Sequence, residues 1–162
     1  MKIPTTRKNK RTVFMFSGLT LITVGAVGAL WWFGNSDRGA DPDDLEMVEL
    51  GRSVYAAECA ACHGAKLEGQ PNWRSRKQDG RLPAPPHDES GHTWHHPDQL
   101  LFRMTKMGIK PPLAPEGYES DMPAFDDVLT DEDIWAVLAF IKSTWPKTAR
   151  ETQNRINRQS KQ

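Results

Sequence analysis

Apolar residues fall in four separated blocks along this chain. Val13 to Phe33 is a run of 21 residues without a charge, carrying only Ser17, Thr20 and Thr23 as polar side chains. As a helix it spans about 31 Å, the thickness of a bilayer's hydrocarbon core. From Asp44 onward, Leu45, Val48, Val54 and Tyr55 fall near helical spacing, and Gly64 offers a stop. A short helix is predicted from Pro97 to Met107, with proline at its first position, Asp98 in its first turn and Gly108 just beyond it. Its apolar stripe is Leu100, Leu101, Met104 and Met107. The clearest helix of the soluble part follows Thr130-Asp131-Glu132-Asp133, a capping sequence with Thr130 as N-cap. Its stripe of Ile134, Val137, Leu138, Ile141 and Trp145 is ended by Pro146. Residues 65–96 and 108–129 are broken repeatedly by proline and glycine. Loops of that length are uncommon in a small domain unless they wrap something.

Charge divides the chain further. Residues 1–12 carry five bases and no acid, residues 34–146 carry 20 acids and 11 bases, and residues 147–162 carry five bases and one acid. The zero formal net charge is an average over unlike parts. The basic flank precedes the apolar run, so the positive-inside rule keeps residues 1–12 in the cytoplasm and sends the rest across, with Trp31, Trp32 and Phe33 at the far interface. Cleavage near Val27-Gly28-Ala29 is the competing reading; it would leave Leu-Trp-Trp-Phe at the new terminus, which favours an uncleaved anchor. The organisation expected is a cytoplasmic basic segment (1–12), a transmembrane anchor (13–33), a linker (34–43), an exported domain (44–146) on the periplasmic side of a bacterial-type inner membrane, and a basic, disordered tail (147–162). The tail is short and lacks interleaved aromatics, which argues against nucleic-acid binding.

Candidate chemistry concentrates in Cys59-Ala60-Ala61-Cys62-His63, which holds both cysteines of the chain. Two thiols at this spacing can each reach one vinyl group of a single porphyrin, and the histidine that follows is carried beneath the ring, where an imidazole nitrogen can bind iron. A thioredoxin-like pair would sit at a strand-to-helix junction, and no alternating strand pattern surrounds these residues. A disulfide at three-residue helical spacing has poor geometry, and a zinc site lacks a second Cys-x-x-Cys. One covalent haem c is the expected cofactor.

The second iron ligand decides between a carrier and an open site. Met104, Met107, Met122, His87, His92, His95 and His96 are the candidates. Met122 is preferred because Asp121-Met122-Pro123-Ala124-Phe125 lies in a loop, where a thioether is presented rather than packed; Met104 and Met107 fall at core-like helix positions. Four histidines in ten residues, His87 to His96, also suggest a copper or zinc site, although Pro97 disfavours helical alignment of His92 with His96.

Gly51 and Tyr55 ahead of Cys59-Ala60-Ala61-Cys62-His63-Gly64, a proline-containing loop, a short middle helix, Met122-Pro123 and a final apolar helix together resemble class I cytochrome c over residues 44–146. The resemblance implies an all-α fold in which the first and last helices cross at Gly51, with Trp135 or Phe140 as its aromatic neighbour. It implies a loop carbonyl accepting a hydrogen bond from His63, for which Pro71 is the matching residue. Trp73, Arg74, Arg76, Lys77 and Arg81 depart from the minimal pattern as a basic segment in an acidic domain, which reads either as a solvated loop or as neutralising the haem propionates through Trp73, Arg74 and Arg81. The function implied is single-electron transfer by an anchored monohaem cytochrome, not an enzyme in itself. Its partners would be an oxidase, a quinol-oxidising complex or a periplasmic dehydrogenase. The alternatives are a cytochrome subunit of a larger oxidoreductase and a haem sensor or copper-handling protein using the His87 to His96 cluster.

Overall fold

Helix α1 (Leu45–Val54) begins where Asp44 turns its carboxylate onto two backbone donors, the N–H groups of Glu46 and Met47, each at 3.1 Å. In the computed structural model, which describes residues 39–161, α1 runs into a π-helical turn (Tyr55–Cys59) and the short α2 (Ala60–His63), stopped at Gly64 with φ +82°. After a long loop come a 3-10 turn (Thr93–His95), α3 (Asp98–Met107), α4 (Asp131–Ser143) and α5 (Lys147–Gln159). No strand occurs among the described residues, in keeping with the all-α expectation. None of the helices among them is long and apolar enough to cross a membrane. The predicted anchor at 13–33 and the basic segment before it lie outside the described residues.

The core is built on α4. Ile134, Ala136, Val137, Leu138, Ala139, Phe140 and Ile141 are all buried, joined by Val48 and Tyr55 of the first helical segment, Leu101 of α3 and Trp145. Such near-complete burial follows from packing on several sides: α1 crosses one face and α3 lies against another. The predicted capping box is formed, Thr130 Oγ1 accepting from the Asp133 N–H at 3.1 Å and Asp133 Oδ2 accepting from the Thr130 N–H at 3.0 Å. At the crossing of α1 and α4, a Cβ on Gly51 would stand within 1.9 Å of the Ala136 carbonyl oxygen. Only a residue without a side chain lets these backbones meet. Of the two aromatics expected at the crossing, Phe140 meets residues flanking Gly51, its ring lying 5.4 Å from that of Tyr55 and beneath the Arg52 guanidinium at 4.9 Å. Trp135 instead stacks on Phe102 of α3 at 4.4 Å.

Three expectations are corrected. Leu45, counted in the apolar stripe of α1, is 82 % exposed, because the first turn extends past the edge of the core. Met104 and Met107 are half-buried and do not belong to the core cluster, whose α3 members are Leu101 and Phe102. The tail expected to be disordered is helical over Lys147–Gln159. It contains neither glycine nor proline and is rich in good helix formers. What docks it is polar. Asp98, in the first turn of α3, accepts from the Lys142 ammonium (3.0 and 2.8 Å), from Gln153 and from the Asn157 side chain (3.0 Å), and its own N–H donates to Asn157 Oδ1 at 2.7 Å. Gln153 is fully buried and also reaches the His96 carbonyl. A tail judged by its count of aliphatic residues looks unable to bury anything; this one buries amides against a carboxylate.

Candidate functional site

The three chemical residues of the attachment motif end up on different local surfaces. The π-helical turn offsets Cys59 from the register of α1, leaving its thiol partly covered and Cys62 exposed; neither is in a disulfide. Burial, with lesser contributions from Glu58 and Cys62, pushes the Cys59 thiol up to about 11. His63 is buried at 8 % exposure. Its Nδ1 donates to the Pro85 carbonyl at 2.8 Å, which leaves Nε2 bare and directs it away from that loop. Burial also lowers the His63 pKa, only partly offset by the Pro85 bond, so the neutral, ligating form is favoured. Tyr55 closes the turn by donating its hydroxyl to the Gly64 carbonyl at 2.8 Å.

The acceptor on His63 is therefore Pro85 and not Pro71, which is exposed. Residues 71–83 form an excursion closed at its base, where the Gln70 N–H donates to the Ala84 carbonyl (2.9 Å) and the Ala84 N–H donates to Gln70 Oε1 (3.0 Å). The chain leaves at Gln70, returns at Ala84, and presents the next residue to His63. Pro86 is wedged between two glycines: a Cβ on Gly69 would come within 2.4 Å of its nitrogen, and one on Gly91 within 2.0 Å of its oxygen.

The basic excursion itself faces the loop of Met122. Arg81 pairs with Asp121 at 2.9 Å and Glu119 at 3.3 Å, and Lys77 pairs with Asp121 as well. These cations, one of them named as a propionate contact, are engaged by carboxylates of the chain. Trp73 stacks on His92 at 5.4 Å, and Arg74 covers Trp73 at 3.9 Å while donating to the Ser90 carbonyl at 3.3 Å. Met122 is half-buried between two fixed points. On one side is the Asp121 clasp; on the other, the Phe125 N–H donates to the Thr105 and Lys106 carbonyls (3.2 and 3.1 Å), tying the loop to the end of α3.

The four histidines do not converge. His87 stacks on His63, His95 stacks on Trp94 at 3.6 Å, and only His92 and His96 meet, with His92 Nδ1 3.2 Å from His96 Nε2. No group of three or more metal-binding side chains exists among the described residues. The copper or zinc cluster suggested by the sequence is not assembled, because the 3-10 turn at Thr93–His95 sends successive rings in different directions.

Comparison with known families decides what this frame is. The cytochrome c family matches residues 48–145, from the first helix through Trp145. The chain belongs to the cytochrome c family. Its cofactor is accordingly haem c, covalently bound. The paired free thiols and the bare Nε2 of His63 fit that group: the two cysteines need no partner within the chain, and the histidine has already spent its other nitrogen. The cytochrome is also 27 % identical over 115 residues to the Cbb3-type cytochrome c oxidase subunit FixP of Sinorhizobium medicae, over 71 % of this chain and 35 % of that protein. It thus spans about a third of that relative's length. No solved structure matches it.

Pro85 was the site residue not found by reading along the sequence, and His87 was read only as a candidate metal ligand. A usable signal was present: Pro85-Pro86 has no N–H on either residue and holds the chain extended, a natural way to offer a carbonyl.

Proposed function

We propose that the chain is a membrane-anchored monohaem cytochrome that relays single electrons on the periplasmic side of a respiratory-type membrane. Cys59 and Cys62 would hold the haem through thioethers, and His63 Nε2 and the Met122 sulfur would ligate its iron. The haem supplies the one-electron couple; the chain supplies ligands, orientation and exclusion of water. The observation that carries this reading is the His63 to Pro85 hydrogen bond, since it fixes the tautomer that leaves Nε2 for iron and raises its basicity as a ligand. Met122 is favoured over the comparably buried Met104 and Met107 by its place in a loop tied on both sides, rather than within a helix. Ligation by the Met122 thioether together with His63 would raise the potential, suiting transfer to an oxidase. An anchored carrier exchanges free diffusion for a high local concentration near membrane partners.

A second reading, favoured by the similarity to an oxidase subunit, makes the chain the cytochrome subunit of a membrane oxidase rather than a free relay. Stable co-purification of a catalytic subunit supports the subunit; isolation of the cytochrome alone, with rapid electron exchange on adding an oxidase, supports the relay. The ligand assignment is tested by spectra of the haem-loaded chain, oxidised, reduced, and reduced with carbon monoxide, for wild type, Met122→Ala and Met104→Ala. The expected wild type is low-spin, has a methionine-to-iron charge-transfer band and ignores carbon monoxide. Met122→Ala loses all three properties and Met104→Ala keeps them. The reverse pattern moves the ligand to α3, and carbon monoxide binding by wild type replaces the carrier with an open-site sensor.

A further inference from the structure

His87 is not among the residues assigned to hold the haem, yet its ring lies flat against His63, with centroids 4.0 Å apart and planes inclined by 21°. Its own position is set from three directions. The His87 N–H donates to the Leu67 carbonyl at 2.8 Å, in the loop that follows the attachment motif. Its carbonyl accepts from the Trp145 indole N–H at 2.7 Å, at the end of α4. The ring Nδ1 shares a hydrogen at 2.8 Å with the hydroxyl of buried Thr93, in the 3-10 turn. Tyr55 meets it edge-on at 6.4 Å.

The consequence for His63 is geometric. A single hydrogen bond from Nδ1 to Pro85 fixes where that nitrogen points but permits the ring to swing about the N–H···O direction. A second ring held parallel to its face removes the swing. We propose that His87 is the positioning residue of the haem's histidine ligand, fixing the plane of the His63 ring and favouring the oxidised iron. The second effect follows from chemistry: His63 shares the added positive charge when iron is oxidised, and a polarisable π face stabilises that charge as an aliphatic side chain cannot.

The proposal rests on His63 being an iron ligand, so the experiment reads both. The haem-loaded full chain is prepared as wild type, His87→Leu, His87→Phe and His87→Gln, and each is followed by ferric electron paramagnetic resonance, proton NMR of the hyperfine-shifted ligand ring, midpoint potential and thermal unfolding. Wild-type spectra with a hyperfine-shifted His63 ring establish the ligand independently; their absence defeats the ligand reading itself and, with it, this proposal. With the ligand established, His87→Leu is expected to change the g-value anisotropy and the His63 ring shifts. It should also favour reduction by about threefold or more in the equilibrium constant, the size of an aromatic pair interaction. His87→Phe, which keeps a flat ring, should restore most of the ring shifts. If His87→Leu does not accumulate, His87→Gln takes its place: a shifted spectrum and potential support the proposal. Wild-type g values and potential in the Leu or Gln variant, even with a lowered unfolding temperature, would overturn it, leaving His87 as filler.

Discussion

Asp98→Ala is expected to cost more stability than any single truncation of the apolar tail residues, because it strands a charge. The Lys142 side chain is only 5 % exposed and Asp98 17 %, and Asp98 accounts for every hydrogen bond that the ammonium makes. Its loss also removes acceptors from Gln153, which is fully buried, and from Asn157. Breaking a buried pair by deleting one partner costs about 3–5 kcal/mol, the uncompensated charge being the larger part. For a domain of this size that lowers the unfolding midpoint by about 12–20 °C. The double variant Asp98→Ala/Lys142→Met should be more stable than Asp98→Ala alone, since it removes the stranded ammonium. Two assays follow the effect: guanidinium unfolding by circular dichroism, and trypsin cleavage within α5, whose Lys147, Arg150, Arg155 and Arg158 become targets once the helix undocks. A loss below about 1 kcal/mol for Asp98→Ala, with unchanged tryptic resistance, would refute the view that this network holds the C-terminal helix.

Three further outcomes are expected. Gly51→Ala places a methyl against the Ala136 carbonyl where only 1.9 Å is free, so α1 and α4 must separate. A loss of about 3 kcal/mol in denaturant unfolding is expected, and an unchanged midpoint would show the crossing to be looser than described. Asp121→Asn removes the carboxylate that Lys77 and Arg81 share, leaving them only Asp79 and Glu119, so the charge-transfer band of a Met122-ligated iron should disappear at lower pH on alkaline titration than in wild type, while 1 M salt should reproduce part of the effect in wild type. An unaltered titration separates the clasp from the methionine loop. His92 and His96 both have lowered pKa values, burial being the main cause and neighbouring cations or histidines adding to it. Groups depressed in the folded state contribute stability above their unfolded pKa of about 6.5 and lose it as pH falls below that value. Denaturant midpoints should therefore drop between pH 7.5 and 5.5, and by less in His96→Gln.

The attachment motif, the capped helix at residues 131–143 and the middle helix were legible along the chain because each is a local pattern, whereas the glycine at the crossing came only with the resemblance to cytochrome c. A thiol pair with a histidine, a Thr-to-Asp capping box and a three- and four-residue apolar stripe carry their physical reason within a few residues. Pro85 was not legible, because the choice among the loop prolines depends on an excursion closed by Gln70 and Ala84, which nearness in sequence does not reveal. The C-terminal helix was hidden for a related reason. Its hold on the domain is a carboxylate 49 residues before its first residue, shared by an ammonium and two amides, and polar residues announce no burial until their partners are known. His87 belongs to the same class: as one of four clustered histidines it suggested a metal site, and only anchors at Leu67, Thr93 and Trp145, two of them from distant segments, turn its ring onto His63. Local patterns determine which elements form, since helix periodicity and caps are short-range; pairing across long loops determines which polar groups are satisfied and which carbonyl or ring meets the ligand, since a hydrogen bond needs its partner placed within about 3 Å.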